Sequence, residues 1–477
     1  MTWHATGKCM EPGKMQHPVD GRAWKNFDTK YSNFAKEPRN VRLGLAADGF
    51  NLFGNISQAY SMWPMILTTY NLPPWLCVET IDVATGQKFN MRAMVLWTIN
   101  DFPARSSLSG WSGQGYLACP TCNKDTPSVC VLGKIAYVSH IKFLKKPHKW
   151  RRSLEFNGEI EDGDPPRKFN RDQIQAQLAR LPMRVKGKHS SYGVVKIKHT
   201  TKARQDLKML GIRSGLWLGQ TKNGKCSKPQ AAYSFTPENR KKFCQFIKGV
   251  KLPDGLRSNF KHKVTDNDTN ITGLKSHDCH IMMQRLLPYG LQQYLPDEVA
   301  KPIIELCSFF KQICSATLME DDMLKAQSKV VDILCNLELI YPPAFFDIMI
   351  HLVIHLPLEA LEGGPIRPRW MFPFERFMKK LKGYVRNKAK PEGSIAEGYV
   401  AEEALTFSSH YFQDVTMKFN RPDRNVDPPP LTCQFQVFRS ICKSIGLRSI
   451  IRFDTQELKK VTWYVLYNSP KIDTYRS

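Results

Sequence analysis

The chain has 477 residues, 42% of them hydrophobic and 23% charged. That is ordinary globular usage, which excludes a wholly disordered chain and leaves room for roughly two to four domains. Lys and Arg number 69 against 43 Asp and Glu, a formal net charge of +26, which suits a polyanion such as nucleic acid or an anionic membrane surface. The opening run MTWHATGKCM has no apolar core and no small-residue cleavage site, so it is not a secretory signal. No apolar run reaches the roughly 18 residues a spanning helix needs. The best candidate, PAFFDIMIHLVIHLPLEAL, carries Asp347, His351, His355 and Pro357 and reads as a buried helix of a non-membrane protein. The 13 cysteines are odd in number and scattered, which fits reduced thiols and a metal site better than a disulfide framework.

Five stretches are expected in chain order. Residues 1–40 are a polar segment with few periodic apolar positions. Residues 41–140 carry three short strands, VRLGLA, MWPMILTTY and MRAMVLWTI, each rich in branched or aromatic residues and bounded by Gly, Asn or Pro. Residues 141–270 are a basic, partly extended insertion; positions 141–263 alone hold 30 Lys/Arg and 9 Asp/Glu. Residues 274–412 are helical, with helix-spaced apolar residues in HIMMQRLLPYGLQQYL, AKPIIELCSFFKQICSATL and VVDILCNLELI. Residues 413–477 combine a Pro-rich linker, RPDRNVDPPP, with the strand-like runs FQVFRSI and VTWYVLY.

Two basic surfaces are candidates for phosphate contact. One is the insertion, represented by Lys142, Lys145, Lys146, Lys149, Arg151 and Arg152. The other is 367–390, where nine Lys/Arg, among them Arg376, Lys379, Lys380, Lys382 and Arg386, alternate with Trp370, Phe372, Phe374, Phe377 and Tyr384. Basic groups neutralise phosphates and aromatic rings stack on unpaired bases; the plainer reading is a solvated cationic helix face with a core-facing aromatic stripe.

Asp48 follows the first strand and Asp101 the third. Were those strands neighbours, both carboxylates would converge on one sheet edge, as hard oxygen ligands for Mg²⁺ or Mn²⁺, and a third acid from a helix would complete a two-metal site. An Asp after a strand is otherwise a turn residue or a helix cap. Cys119 and Cys122 stand in Cys-x-x-Cys spacing, suited to tetrahedral Zn²⁺. The two further ligands are expected from His277 and His280 ahead of His351 and His355, because the latter pair lies on a strongly apolar helix and reads as core histidines. Two unrelated core cysteines remain the alternative. The chain carries no phosphate-binding Gly loop, no dinucleotide fingerprint and no Gly-x-Ser-x-Gly elbow.

The runs EPRNVRLGLAADGFNLFGN, YSMWPMILTTYNLPPWLC and MRAMVLWTINDFPARSSLSGWSGQGYLACPTCN closely resemble plant CACTA (En/Spm-type) DNA transposases. So do LKSHDCHIMMQRLLP, FPFERFMKKLKGYVRNKAKPEGSIAEGYVAEEALTF and NRPDRNVDPPP, so the likeness covers most of the chain. The resemblance implies an α/β RNase H-like catalytic core, incomplete and with a mixed sheet, interrupted by the basic region and followed by a mainly α-helical domain. It implies metal-dependent strand cleavage and transfer with Asp48 and Asp101 as the first two acids. Glu375 is the choice for the third, with Glu397, Glu402 and Glu403 as fallbacks. Mg²⁺ or Mn²⁺ and a structural Zn²⁺ are the implied cofactors. The implied partners are DNA, as transposon ends and target, and further copies or other transposon-encoded proteins, in the nucleus and without a membrane.

One departure stands out. Only the short link Cys77–Gly86 occupies the place where such transposases carry a further strand and an amphipathic helix. An unpaired sheet edge and an uncovered sheet face are therefore expected. The chain also starts inside the shared transposase region and stops where relatives continue, so a shortened, inactive copy, or a relict or domesticated nucleic-acid-binding protein, is the alternative expectation.

Overall fold

The computed structural model describes residues 3–6, 11–51, 61–71, 92–109, 113–132, 134–167, 169, 171–179, 201–220, 226–252, 260–265, 267–387, 389–409, 411 and 453–467. By contact the chain divides into two units, Met1–Lys379 and Lys380–Ser477.

Near the start of the first unit, after short elements at 3–20, lies α1 (Arg22–Lys30), which buries Trp24. A mixed three-stranded sheet follows: β1 (Val41–Ala47), β2 (Met65–Thr69) and β3 (Ala93–Ile99), in the order β2-β1-β3. The three strands are those expected from their branched and aromatic runs. β1 pairs antiparallel with β2, Leu45 opposite Leu67, and parallel with β3, Ala46 opposite Ile99, with a register shift at Leu43/Gly44. Neither outer strand has a second neighbour among the described residues. The link 77–86 itself lies outside them.

The two faces of this sheet differ. On one, Trp24, Ala46, Tyr70, Ile99 and Phe374 form a buried cluster joined by Trp97. Burial of Arg42 within that layer is compensated by Asp28, 2.7 Å away, and by the Trp24 ring at 5.0 Å. On the other face Met65, Leu67 and Val95 are exposed, at 69%, 58% and 41%. An apolar face left open is what a missing covering layer would produce. Gly44 permits the covered side: a Cβ there would stand 2.7 Å from the Tyr70 ring, whose hydroxyl donates to the Pro368 carbonyl at 3.1 Å. Gly44→Ala is expected to cost about 1–3 kcal/mol, read as a lower denaturation midpoint.

Downstream of β3 comes α2 (Phe102–Ser109), then a hairpin of β4 (Val129–Val131) and β5 (Lys134–Ala136). The basic stretch is more helical than its composition suggests. It contains the helices Arg171–Leu178 and Thr201–Met209 and, longest, α3 (Pro237–Gly249), capped by Thr236 with Pro at its first position. In α3, Phe243, Cys244 and Ile247 are buried on one face while Lys242 pairs outward with Glu238.

The helical region follows as α4 (Ser276–Ile281), α5 (Asp297–Ile313), α6 (Glu320–Ile340), α7 (Ile348–Leu352), α8 (Leu356–Gly363) and α9 (Phe372–Gly383). α6 is the axis of the main core, burying Val330, Leu334 and Leu337 against Phe309, Phe346 and Ile354. The apolar run around His351 is not one helix. Asp347 caps α7 through the Ile350 amide at 3.2 Å, Val353–His355 tightens to a 3₁₀ turn, and Pro357 opens α8.

The second unit includes α10 (Pro391–Ser409), and there Lys380 pairs with Glu402 at 2.9 Å. The run VTWYVLY, expected as a strand in a β-rich tail, lies instead in a helix, Thr455–Tyr467. Its β-branched and aromatic residues read as strand, but TQELKK immediately before supplies strong helix formers and carries the helix through it. The strand-like FQVFRSI and the Pro-rich linker fall outside the described residues. No helix among the described residues is long and apolar enough to cross a membrane.

Candidate metal centres

The Cys119-x-x-Cys122 turn closes on itself: the Cys122 amide donates to the Cys119 sulfur at 3.3 Å, and the Asn123 amide to the Cys119 carbonyl at 2.8 Å. Asn123 takes the left-handed conformation, φ 52°, that lets the chain turn away. Both thiols are buried.

The histidines that reach them are His351 and His355, not His277 and His280. Ligand atoms of Cys119, Cys122, His351 and His355 all lie within 4.8 Å of one another. His355 Nε2 stands 3.3 Å from each sulfur, and neither ring nitrogen of His351 has a hydrogen-bond partner. Four converging soft and borderline donors, all buried and with both His351 nitrogens left without a partner, fit a closed tetrahedral Zn²⁺ site. The Cys119 thiol is held well below its ordinary value, first by its hydrogen bond with Cys122 and then by His351 and His355, while sharing that proton drives Cys122 up. A thiolate is therefore already favoured where the metal needs one. The rings of Tyr137, His140 and Phe143 lie 5.9–6.2 Å from that of His351 and keep the site dry.

The expectation for His277 and His280 fails for a positional reason. His277 is exposed on α4, and His280 packs its ring on Trp370 at 5.7 Å and Phe372 at 6.0 Å. The apolar surroundings that made His351 and His355 look like core residues wall the four-donor cluster that could hold a metal ion. The usable signal was their spacing of one helical turn beside an Asp cap.

The carboxylates form the second cluster. Asp48 and Asp101 leave adjacent parallel strands, each two residues after the Ala46–Ile99 pair. Asp48 accepts from the Gly49 amide at 2.7 Å, and Asp101 caps α2 through the Ala104 amide at 2.7 Å. Phe374 belongs to the same buried cluster as Ala46 and Ile99, and the next residue on α9 is Glu375. Burial raises the Asp48 carboxyl, and the charge of Asp101 adds to it. The Glu375 carboxyl is raised by burial and then by Asp48 and Asp101. The three carboxylates feel one another's charge, but among the described residues the group of metal-ligating side chains whose donor atoms close to within 4.8 Å is the one at Cys119. Of the fallback acids, Glu402 is bonded to Lys380 and Tyr384, and Glu397 and Glu403 are on α10.

The basic residues divide by use. Arg151 is 3% exposed, and its guanidinium donates to the carbonyls of Ile141, Lys142, Leu144, Glu161 and Gly163. It staples a loop and is not free to meet a phosphate, contrary to expectation. Arg151→Ala is expected to lower stability by about 3 kcal/mol or more, because charged hydrogen bonds are lost and buried carbonyls are orphaned, with the salt dependence of DNA binding unchanged. Lys142 and Lys146 pair with Glu161 and Asp164 at 3.6 and 3.0 Å. Lys145, Lys149, Arg152, Arg376, Lys379, Lys382 and Arg386 are exposed.

Residues 12–81 and 77–181 match transposase family tnp2, in two segments that overlap at 77–81, within the short link. Residues 313–426 match a domain of unknown function, DUF4218. The pair is typical of plant CACTA (En/Spm-type) transposases. No curated protein and no solved structure matches the chain. Both clusters draw on both matched regions: Asp48, Asp101, Cys119 and Cys122 lie in the first, and His351, His355 and Glu375 in the second.

Proposed function

We propose that this is a transposon-derived DNA transposase, cleaving DNA with divalent cations at Asp48, Asp101 and Glu375. The observation that supports the reading most is the parallel pairing of β1 with β3, Ala46 opposite Ile99, from which Asp48 and Asp101 leave the sheet at the same end. Their acceptor oxygens would hold Mg²⁺ or Mn²⁺. Such cations, when bound, activate an attacking water and neutralise charge at the phosphorus. The protein contributes rigidity: the β1–β3 ladder sets the two Asp, the Gly49 and Ala104 amides hold their side chains, and Phe374 seats the helix of Glu375. Cys119, Cys122, His351 and His355 would hold a structural Zn²⁺ that ties the Cys119–Cys122 turn to the helical region. DNA is the partner, gripped by the exposed Lys and Arg of 141–263 and 367–390, and the nucleus is where that partner lies. Self-association and contact with other transposon-encoded proteins belong to the same reading.

The exposed Met65, Leu67 and Val95, and outer strands without a second neighbour among the described residues, favour a second reading, a relict or domesticated protein that binds nucleic acid without cutting it. One assay separates them: incubation of the zinc-loaded chain with DNA carrying the transposon end in Mn²⁺. Nicking that Asp48→Ala removes supports the transposase; salt-sensitive binding with no nicking supports the relict.

A further inference from the structure

A histidine that gives one ring nitrogen to a metal keeps an N–H on the other, and a buried N–H needs an acceptor. His351 is 0% exposed, and neither of its nitrogens has a hydrogen-bond partner. Among the described residues the rings around it are His355 at 5.4 Å, Phe143 at 5.9 Å, His140 at 6.1 Å and Tyr137 at 6.2 Å. Phe143 carries no acceptor. His355 turns its Nε2 to the two sulfurs, and the Tyr137 hydroxyl is bonded to the Gly115 carbonyl at 2.9 Å. His140 is left. It too is 0% exposed, its Nε2 has no partner, and its ring lies 27° from the plane of His351.

The other side of His140 is held firmly. Ser139 takes the left-handed conformation, φ 66°, and turns the chain into the 3₁₀ turn His140–Phe143. The His140 amide donates to the Glu338 carboxylate at 3.1 Å, and the same oxygen lies against His140 Nδ1. The Phe346 ring packs on His140 at 5.7 Å. Glu338 comes from the last turn of α6 and is 2% exposed. Its charge also supports the buried Arg213, whose guanidinium donates to the Glu338 and Tyr341 carbonyls. A carboxylate behind Nδ1 places the ring proton there and leaves Nε2 as an acceptor.

We propose that Glu338 and His140 are positioning residues of the Cys119 metal centre: Glu338 fixes the tautomer of His140, and His140 Nε2 accepts the N–H that His351 keeps when it ligates. The proposal rests on the reading of Cys119, Cys122, His351 and His355 as a zinc site. The test is competition for zinc between the full chain and a chromophoric chelator, with cobalt(II) as a spectroscopic substitute. Glu338→Gln and His140→Phe are each expected to weaken zinc binding about 10–100-fold and to shift the visible cobalt bands. His140→Phe keeps a ring against Phe346 and removes both nitrogens. His140→Gln, whose amide oxygen stands in for Nε2, is expected to recover most of the loss. The double variant Glu338→Gln/His140→Phe should bind no more weakly than His140→Phe, because both residues act through one chain of bonds. Wild-type affinity in His140→Phe, or losses that multiply in the double variant, would overturn the proposal and leave the pair as core packing. If His140→Phe does not fold, wild-type affinity in Glu338→Gln overturns it alone. Cys119→Ser, run alongside, separates the two claims. If it binds zinc like the wild type, the centre and the proposal both fall; if it loses zinc while His140→Phe keeps full affinity, the centre stands and the proposal falls.

Discussion

Cys119→Ser and His355→Ala are expected to lose one equivalent of bound zinc, while His277→Ala and His280→Ala retain it. The four donors of the Cys119 site lie within 4.8 Å of one another, and His280 is committed to Trp370 and Phe372. Small structural zinc sites contribute about 10–16 kcal/mol of apparent binding energy at neutral pH. A typical domain is stable by only about 5–15 kcal/mol. Losing one ligand should therefore do more than lower the melting point. The segment around Cys119 and the 3₁₀ turn at Val353–His355 should open together, because the ion is the bond between them and buried sulfur and imidazole are left without partners. Metal analysis of the purified variants and a thermal scan read both effects, and a chelator added to wild type should reproduce them. Full zinc content in Cys119→Ser would sink the assignment.

The second large effect is on cleavage. Asp48→Ala, Asp101→Ala and Glu375→Gln are each expected to reduce Mn²⁺-dependent nicking about a thousandfold or more, since each removes an oxygen ligand from cations that supply both nucleophile activation and charge neutralisation. Zinc content should stay at wild-type level in all three, because the zinc donors are separate residues. DNA affinity in the absence of divalent cation should hold or rise slightly, as one negative charge leaves the cluster. Glu402→Gln is the control: its carboxylate is bonded to Lys380 and Tyr384, so nicking should persist. Loss of nicking in Glu402→Gln with none in Glu375→Gln would move the third acid to α10.

Much of the sheet was legible because each strand is a short branched or aromatic run closed by Gly, Asn or Pro, and such runs have a local physical cause. The placement of Asp48 and Asp101 after two of them was legible for the same reason. Arg151 was misread because its charge is visible in sequence and its five carbonyl partners are not. VTWYVLY was misread because its residues prefer strands, while the helix continues from the TQELKK turn before it.

By itself the sequence determined the pieces whose causes are local: three strands, the closed Cys-x-x-Cys turn, the cationic stretches and the helix-spaced apolar faces of 274–412. Tertiary structure alone decided which pieces meet. Three histidine-bearing or cysteine-bearing pairs had acceptable ligand spacing, and spacing is a property of a few residues, whereas the choice of His351 and His355 depends on the core around α6 that carries them to Cys119 across more than two hundred positions. Glu375 likewise joins Asp48 and Asp101 because Phe374 is buried with Ala46 and Ile99. A long-range contact is selected by the summed burial of whole elements, and no local pattern encodes that sum.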